Sequence, residues 1–234
     1  MIHGRKVIGI IGGMGPMATA DLFIKIIENT KADKDQEHLH ILIDNNTDIP
    51  DRTEHILIGS DAPLIPMAES AARLEAQGAD VLIMPCNSAH HYYDGLCRRT
   101  DLPVLNMPEL TAKTCEEQGI RCAALLATEG CIRSGIYDPY FEARGIQLLK
   151  PSEDGIRALM YVIYEEVKAG KRPHPEFLYP EMERLKAKGA EVFLLACTEL
   201  PLAFNERTPF VCLDPTLVLA KAAITAAGGM LKNG

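Results

Sequence analysis

Residues 73–86 of this chain read RLEAQGADVLIMPC and residues 184–197 read RLKAKGAEVFLLAC, so seven of fourteen positions are identical at a constant offset of 111. Any two helix–glycine–strand units share small residues and an aliphatic run. A shared terminal cysteine, Cys86 against Cys197, is not explained that way. The surroundings repeat in the same order: strand and loop at 5–15 and again at 121–131, then helices, then the cysteine strand, then a strand led by Pro103 or Pro209. The economical reading is two similar halves of four strands each, related by an approximate two-fold axis. In such an arrangement equivalent strand ends face each other across a cleft, and the two cysteines are opposed there.

Short apolar runs at 7–11, 39–43, 81–84, 104–105, 123–127, 147–149, 192–196 and 210–213 alternate with longer amphipathic stretches. Each run is continuous rather than alternating, the pattern of a parallel strand covered on both faces. Helical periodicity is clearest at 63–77, 153–168 and 176–188, and Gly170 and Gly189 stand just past the last two, where left-handed C-caps sit. The expected fold class is therefore α/β, with parallel sheets and right-handed crossovers. Two pseudo-symmetric domains are expected, each a four-stranded parallel sheet flanked by helices, with the active site in the interdomain cleft. The first takes residues 1–107 and a C-terminal helix at 214–234, and the second takes 108–213.

With 234 residues, 47% of them hydrophobic and 24% charged, the chain is neither disordered nor fibrous and needs no disulfide staple. No apolar run approaches a membrane span of about 18–20 residues, and the N-terminus lacks a signal-peptide pattern. A net charge of −8, from 32 acidic and 24 scattered basic residues, argues against nucleic acid or an anionic membrane as partner. It leaves room for a local cationic pocket. The seven cysteines, at 86, 97, 115, 122, 131, 197 and 212, are odd in number, widely spaced and free of any CxxC pair. That usage predicts a reduced, cytoplasmic protein. Cys86, His90, His91 and Cys97 fit no common metal spacing, so no metal is expected.

After Cys86 comes Asn87-Ser88-Ala89-His90, and after Cys197 comes Thr198-Glu199-Leu200-Pro201. In both places a strand ends at the cysteine and a helix is expected to open on a polar capping residue. A helix N-terminus favours thiolate, and its N–H groups can hold a carboxylate. The carboxyl ends of parallel strands are also where α/β sheets bind ligands. The five other cysteines read as small buried hydrophobes. Two opposed thiols suit racemisation, in which a proton leaves one face of a carbon acid and another is delivered to the opposite face.

GIIGGMGP (9–16), DNNTDIPDRT (44–53), MPCNSAH (84–90), LLATEG (125–130), IYEEVKAG (163–170) and LLACTEL (194–200) together resemble the aspartate/glutamate racemase superfamily, the aspartate racemase branch in particular. The motifs run in the expected order over nearly the whole chain. The resemblance implies a pyridoxal-phosphate-independent amino-acid racemase without cofactor, built of two pseudo-symmetric α/β domains and commonly homodimeric, with a small acidic amino acid as substrate. Cys86 and Cys197 match its catalytic cysteines, and Arg52 and Lys168 match the basic pair for the side-chain carboxylate. Met14, Asp51, Thr53, Asn87, Ser88, Ala89 and Thr198 match pocket positions, and Tyr164 matches a tyrosine that accompanies the lysine. One departure is Cys131, where a hydroxyl residue is usual; if that hydroxyl contacts the substrate carboxylate in the family, recognition here is either weaker or supplied by Thr128.

Tyr164 and Lys168, four apart on a helical pattern, share a face, and an arginine at 52 can clamp a carboxylate bidentately. Position alone would leave each as a solvated surface charge; the motif match assigns them. Glu199 reads either as a base assisting a thiol or as an acid complementing a helix dipole. A helix starting at Asn87 would turn His90 and His91 away from Cys86. Three other functions fit parts of the sequence. Gly13-x-Gly15-x-x-Ala18 is a permissive dinucleotide fingerprint, with Asp44 ending the second strand, and suggests a nicotinamide-binding oxidoreductase. A thiol-dependent decarboxylase or isomerase of the same superfamily would need only one cysteine. A non-catalytic amino-acid-binding protein is the third.

Overall fold

The computed structural model describes residues 4–204 and 208–232. The chain ends at 1–3 and 233–234, expected to belong to the first domain, lie outside them. Contacts gather the chain into two compact units, Met1–Met107 with Thr216–Gly234, and Pro108–Pro215.

The first unit runs β1 (Ile8–Gly12), α1 (Pro16–Asn29), β2 (Ile41–Asn45), α2 (Arg52–Leu57), α3 (Leu64–Ala76), β3 (Val81–Ile83), a 3-10 turn at Ser88–Tyr92 and α4 (Tyr93–Cys97). The helix α5 (Met107–Glu117) leads into the second unit. There follow β4 (Cys122–Ala127), α6 (Glu129–Ser134), α7 (Asp138–Glu142), β5 (Gln147–Leu149) and α8 (Glu153–Met160). A π-helical segment, Tyr161–Val167, then precedes a 3-10 turn at Pro175–Leu178, α9 (Tyr179–Ala187), β6 (Val192–Ala196), α10 (Leu200–Ala203) and β7 (Cys212–Leu213). The helix α11 (Pro215–Ala226) returns to the first unit.

Both sheets are parallel and share one strand order, β2-β1-β3 in the first unit and β5-β4-β6-β7 in the second. The first sheet has three strands rather than the expected four. At 104–105 only a single bridge joins Val104 to Leu82. Pro103 lacks an N–H to donate, and α5 begins at Met107, so pairing stops after Leu82 N–H to Pro103 C=O and Leu105 N–H to Leu82 C=O. The strand β2 starts two residues later than expected and lies at the sheet edge, with Ile43 41% exposed. It is thus not covered on both faces.

The internal repeat is a repeat of backbone geometry. Gly78 (φ 95°) and Gly189 (φ 105°) both turn left-handed past α3 and α9, and Ala79 and Ala190 donate back to Leu74 and Leu185. Only glycine takes that φ without strain, which is why both copies hold one. The acids after it are equivalent too. Asp80 accepts from the Val7 N–H, and Glu191 from the Arg121 and Cys122 N–H groups, each tying the helix–strand unit to the start of the neighbouring strand.

Each unit has its own core. In the first, Ile11, Leu74, Leu82, Met84 and Leu96 pack together, and in the second Leu126, Phe141, Val162, Leu185, Phe193 and Leu194 do so. Burial of such side chains, worth roughly 1.5–3 kcal/mol each, fixes the strand ends on which the candidate site is built. The helix expected at 176–188 is divided, because Pro180 restarts it as α9 after the 3-10 turn. The helix expected at 153–168 changes from α to π at Tyr161.

Candidate active site

In the second unit the residues after two neighbouring strands lie side by side. Ala127 of β4 pairs with Ala196 of β6, so Thr128 and Cys197 follow at the same level. Thr128 caps α6, its hydroxyl oxygen accepting the Cys131 N–H at 3.4 Å, and Cys131 is fully buried behind it. The Cys197 thiol is buried and donates to Glu199 Oε2 at 2.9 Å, and the Thr198 hydroxyl donates to the same oxygen at 3.1 Å. Lys168 Nζ stands 3.9 Å from Glu199 Oε1 and 4.4 Å from the centre of the Tyr164 ring. Cys197, Thr198, Glu199, Lys168 and Tyr164 are therefore one connected cluster.

Its electrostatics depart from the thiolate expected at a helix N-terminus. Burial first, and the Glu199 carboxylate second, push the Cys197 thiol well above the usual cysteine range, with Lys168 acting in the opposite direction. Two features explain why the helix end does not prevail. The helix α10 is four residues long, and Glu199, at its N-cap position, has helical backbone angles and makes no side-chain cap. Cys197 rests as a thiol with a carboxylate acceptor in place.

In the first unit, Cys86 follows β3, and Asn87, Ser88 and Ala89 beside it are buried. The expected polar cap is missing here as well. Asn87 has helical angles (φ −60°, ψ −51°), whereas capping needs an extended residue, and the turn that follows is 3-10. That tighter turn brings His90 back to Cys86 instead of turning it away. His90 Nδ1 lies 2.9 Å from the Cys86 carbonyl oxygen, and Nε2 accepts the Met107 N–H at 3.1 Å. With Nε2 accepting, the proton is on Nδ1, and burial lowers the pKa to about 4. His90 is thus a neutral brace between Cys86 and the start of α5. Both ring nitrogens are occupied, so it does not serve as a base. His91 meets the edge of the Tyr92 ring.

Arg52 is buried and ties two loops together. Nη1 donates to the carbonyls of Ile49 (3.1 Å) and Pro50 (2.8 Å), and Nη2 donates to that of Met14 (3.0 Å). Asp51 caps α2, accepting the Glu54 N–H at 3.0 Å, and Thr53 is buried in its first turn. Met14, Asp51, Arg52 and Thr53 are thereby held as a second cluster. The bracing role of His90 escapes sequence reasoning, since it depends on a 3-10 turn that no residue pattern announces.

The dinucleotide fingerprint has another explanation. Gly13 has φ +86°, and a Cβ there would stand 2.2 Å from the Asn46 carbonyl oxygen. The close approach that would serve a pyrophosphate is taken by the chain after β2. Among the described residues no group of three His, Cys, Asp or Glu gathers to hold a metal, and no helix is long and apolar enough to cross a membrane.

Two parallel α/β units of one strand order, each with a cysteine just beyond its third strand, define a narrow class. The chain belongs to the Asp/Glu/Hydantoin racemase family, whose model matches residues 11–223. It is similar to the broad specificity amino-acid racemase RacX of Bacillus subtilis (strain 168), at 25% identity over 93% of this chain and 96% of that one. Among solved structures, the Picrophilus torridus aspartate racemase superposes with a TM-score of 0.84 at 31% identity, covering 97% of this chain and 96% of that one. An aspartate racemase homologue from Pyrococcus horikoshii OT3 shares the fold, with a TM-score of 0.78 at 23% identity over 95% and 99% of the two chains. The oxidoreductase and decarboxylase readings find no support in these similarities.

Proposed function

We propose that this chain racemises a small acidic amino acid, aspartate before glutamate, by two-base proton transfer between Cys86 and Cys197, without pyridoxal phosphate or metal. The observation that carries the reading is the Cys197 thiol hydrogen-bonded to Glu199 at 2.9 Å, on the strand end equivalent to that of Cys86. One thiolate takes the Cα proton, and the C–H electron pair is delocalised into the α-carboxylate. The other thiol delivers its proton to the opposite face, and the thiols exchange protonation states. Glu199 is the assisting base, accepting the Cys197 proton when that sulfur must become the thiolate. Arg52 and Lys168 hold the side-chain carboxylate. Met14, Asp51, Thr53, Asn87, Ser88, Ala89, Thr128, Tyr164 and Thr198 shape the pocket.

A broader specificity is the second reading. It is favoured by Arg52, whose guanidinium already donates to three main-chain carbonyls, and by the name of the Bacillus subtilis relative. We take residues 1–107 with 214–234, and residues 108–213, as the two domains. Homodimerisation is supported by the exposed Met17, Ile24 and Ile27 on α1. All seven thiols are free, which suits a reducing cytoplasm.

The test is cofactor-free racemisation of L-aspartate in deuterium oxide. The D-product should carry solvent deuterium at Cα, with glutamate and uncharged amino acids turned over more slowly. Activity abolished by a metal chelator, or product that keeps its original Cα hydrogen, contradicts the scheme.

A further inference from the structure

Between Tyr161 and Val167 the helix that carries Tyr164 and Lys168 is wound as a π-helix. The Lys168 N–H reaches back five residues to the Ile163 carbonyl, at 2.9 Å. Such a segment holds one residue more than an α turn of the same span. Everything after it is rotated by about 100° relative to a continuous α-helix. The direction of the Lys168 side chain is thus set by the π segment, and something must keep that segment from relaxing.

Glu166, inside the segment, is 4% exposed. Both of its carboxylate oxygens are taken by one residue downstream: Oε2 accepts the His174 N–H at 2.8 Å, and Oε1 lies 2.7 Å from His174 Nδ1. Gly170 (φ +69°) reverses the chain between them, and the Lys171 N–H donates to the Glu166 carbonyl at 2.9 Å. The His174 ring also packs on Phe177, and Phe177 meets Tyr161 at the other end of the π segment. The loop is therefore fastened at both ends of the segment, and relaxation to an α register would pull Glu166 off His174.

We infer that the Glu166–His174 clip is a positioning device that holds the π turn and so aims Lys168 at the side-chain carboxylate of the substrate, making both residues determinants of acidic-substrate binding. This rests on the reading of Lys168 as a carboxylate-binding residue. Neither Glu166 nor His174 touches substrate; they act through the lysine.

A double-mutant cycle on the full chain tests it, reading KM and kcat for L-aspartate in Glu166→Gln, Lys168→Ala and the double variant, with thermal melts alongside. Glu166→Gln should raise KM tenfold or more and change kcat less than threefold. In the Lys168→Ala background the same substitution should change KM less than twofold. His174→Ala, at a half-exposed side chain, should reproduce the Glu166→Gln effect should that variant fold poorly. His174→Asn, which keeps a side-chain donor, should restore most of the binding. If Lys168→Ala raises KM but Glu166→Gln and His174→Ala do not, or if the effects multiply in the double variant, the clip does not act through Lys168 and this inference alone falls. If Lys168→Ala leaves KM unchanged, the reading of Lys168 falls and the inference with it.

Discussion

Cys197 donates its thiol proton to Glu199 across 2.9 Å, and Lys168 stands 3.9 Å from the other oxygen of that carboxylate. Glu199 raises the thiol's pKa and Lys168 lowers it, on top of the larger upward push from burial. Glu199→Gln removes the negative charge, so thiolate should appear at lower pH than in the wild type. Lys168→Ala should move it to higher pH. The pH dependence of iodoacetamide alkylation at Cys197, followed by peptide mass spectrometry, reads both shifts. Shifts in the opposite directions contradict the pairing.

Glu199→Gln should also cost activity, because the remaining amide accepts no proton. Loss of a positioned general base typically lowers rates by roughly 10²–10⁴. The equilibrium constant of a racemisation is unity, so kcat/KM must fall equally from L- and from D-aspartate. Progress curves from each enantiomer measure this. A variant with wild-type rates returns Glu199 to a merely structural role.

Lys168→Ala and Arg52→Ala should weaken aspartate binding by about 2–5 kcal/mol, the usual loss when one partner of a desolvated charge pair is removed. Even the lower figure is roughly thirtyfold in affinity. Weakened binding of L-aspartate in calorimetry is expected for both, with an unchanged melting temperature for Lys168→Ala and a lowered one for Arg52→Ala, which takes the donor away from the Met14, Ile49 and Pro50 carbonyls. Normal turnover of aspartate by both variants removes them from the pocket.

His90 titrates at about 4 in the folded chain, against an ordinary 6.5, because burial penalises its charged form. Between those values the unfolded chain binds more protons than the folded one, so stability rises with pH across the window and is lost as pH falls through it. The shift is worth on the order of 3 kcal/mol. Melting temperature should therefore drop between about pH 6.5 and pH 4, and His90→Gln should flatten that part of the profile. An unchanged slope in the variant contradicts the assignment.

Gly13→Ala should destabilise the first unit, since its φ of +86° is left-handed and the added Cβ would meet the Asn46 carbonyl oxygen at 2.2 Å. The backbone term alone is roughly 1–2 kcal/mol. Chemical denaturation measures the loss, and a wild-type midpoint contradicts so close an approach of the two chain segments.

Much of this fold is legible in residue patterns. The offset of 111 between Gly78 and Gly189 announces two helix–strand units because only glycine takes that φ without strain. The continuous apolar runs mark five of the eight proposed strands to within a residue, while those at 39–43 and 210–213 begin two residues early. What misleads is local chemistry that pattern cannot weigh. Pro103 reads as the start of a strand, yet its missing N–H reduces that strand to one bridge. Asn87 reads as a cap, but its helical backbone turns the side chain away from that role. The thiolate expected at Cys197 follows from the helix end alone, whereas burial and a carboxylate two residues on outweigh four residues of helix. The π segment is invisible because Tyr164 and Lys168 stand four apart under either winding.

The central claim, one thiol for each face of Cα, is tested most directly by hydrogen exchange in the single variants Cys86→Ser and Cys197→Ser. Serine keeps the size and the hydrogen bonding, but its hydroxyl ionises far less readily than a thiol, and even the raised Cys197 thiol has the Glu199 carboxylate in place to take its proton. Each variant should therefore be dead in racemisation, while the remaining thiol still takes a proton from its own face and returns one from solvent to that face. In deuterium oxide, proton NMR should show one variant exchanging the Cα hydrogen of L-aspartate only and the other that of D-aspartate only. Cys97→Ser, Cys115→Ser, Cys122→Ser, Cys131→Ser and Cys212→Ser should keep full racemisation. Net racemisation by either single variant, or exchange of the same enantiomer by both, would contradict the two-thiol account.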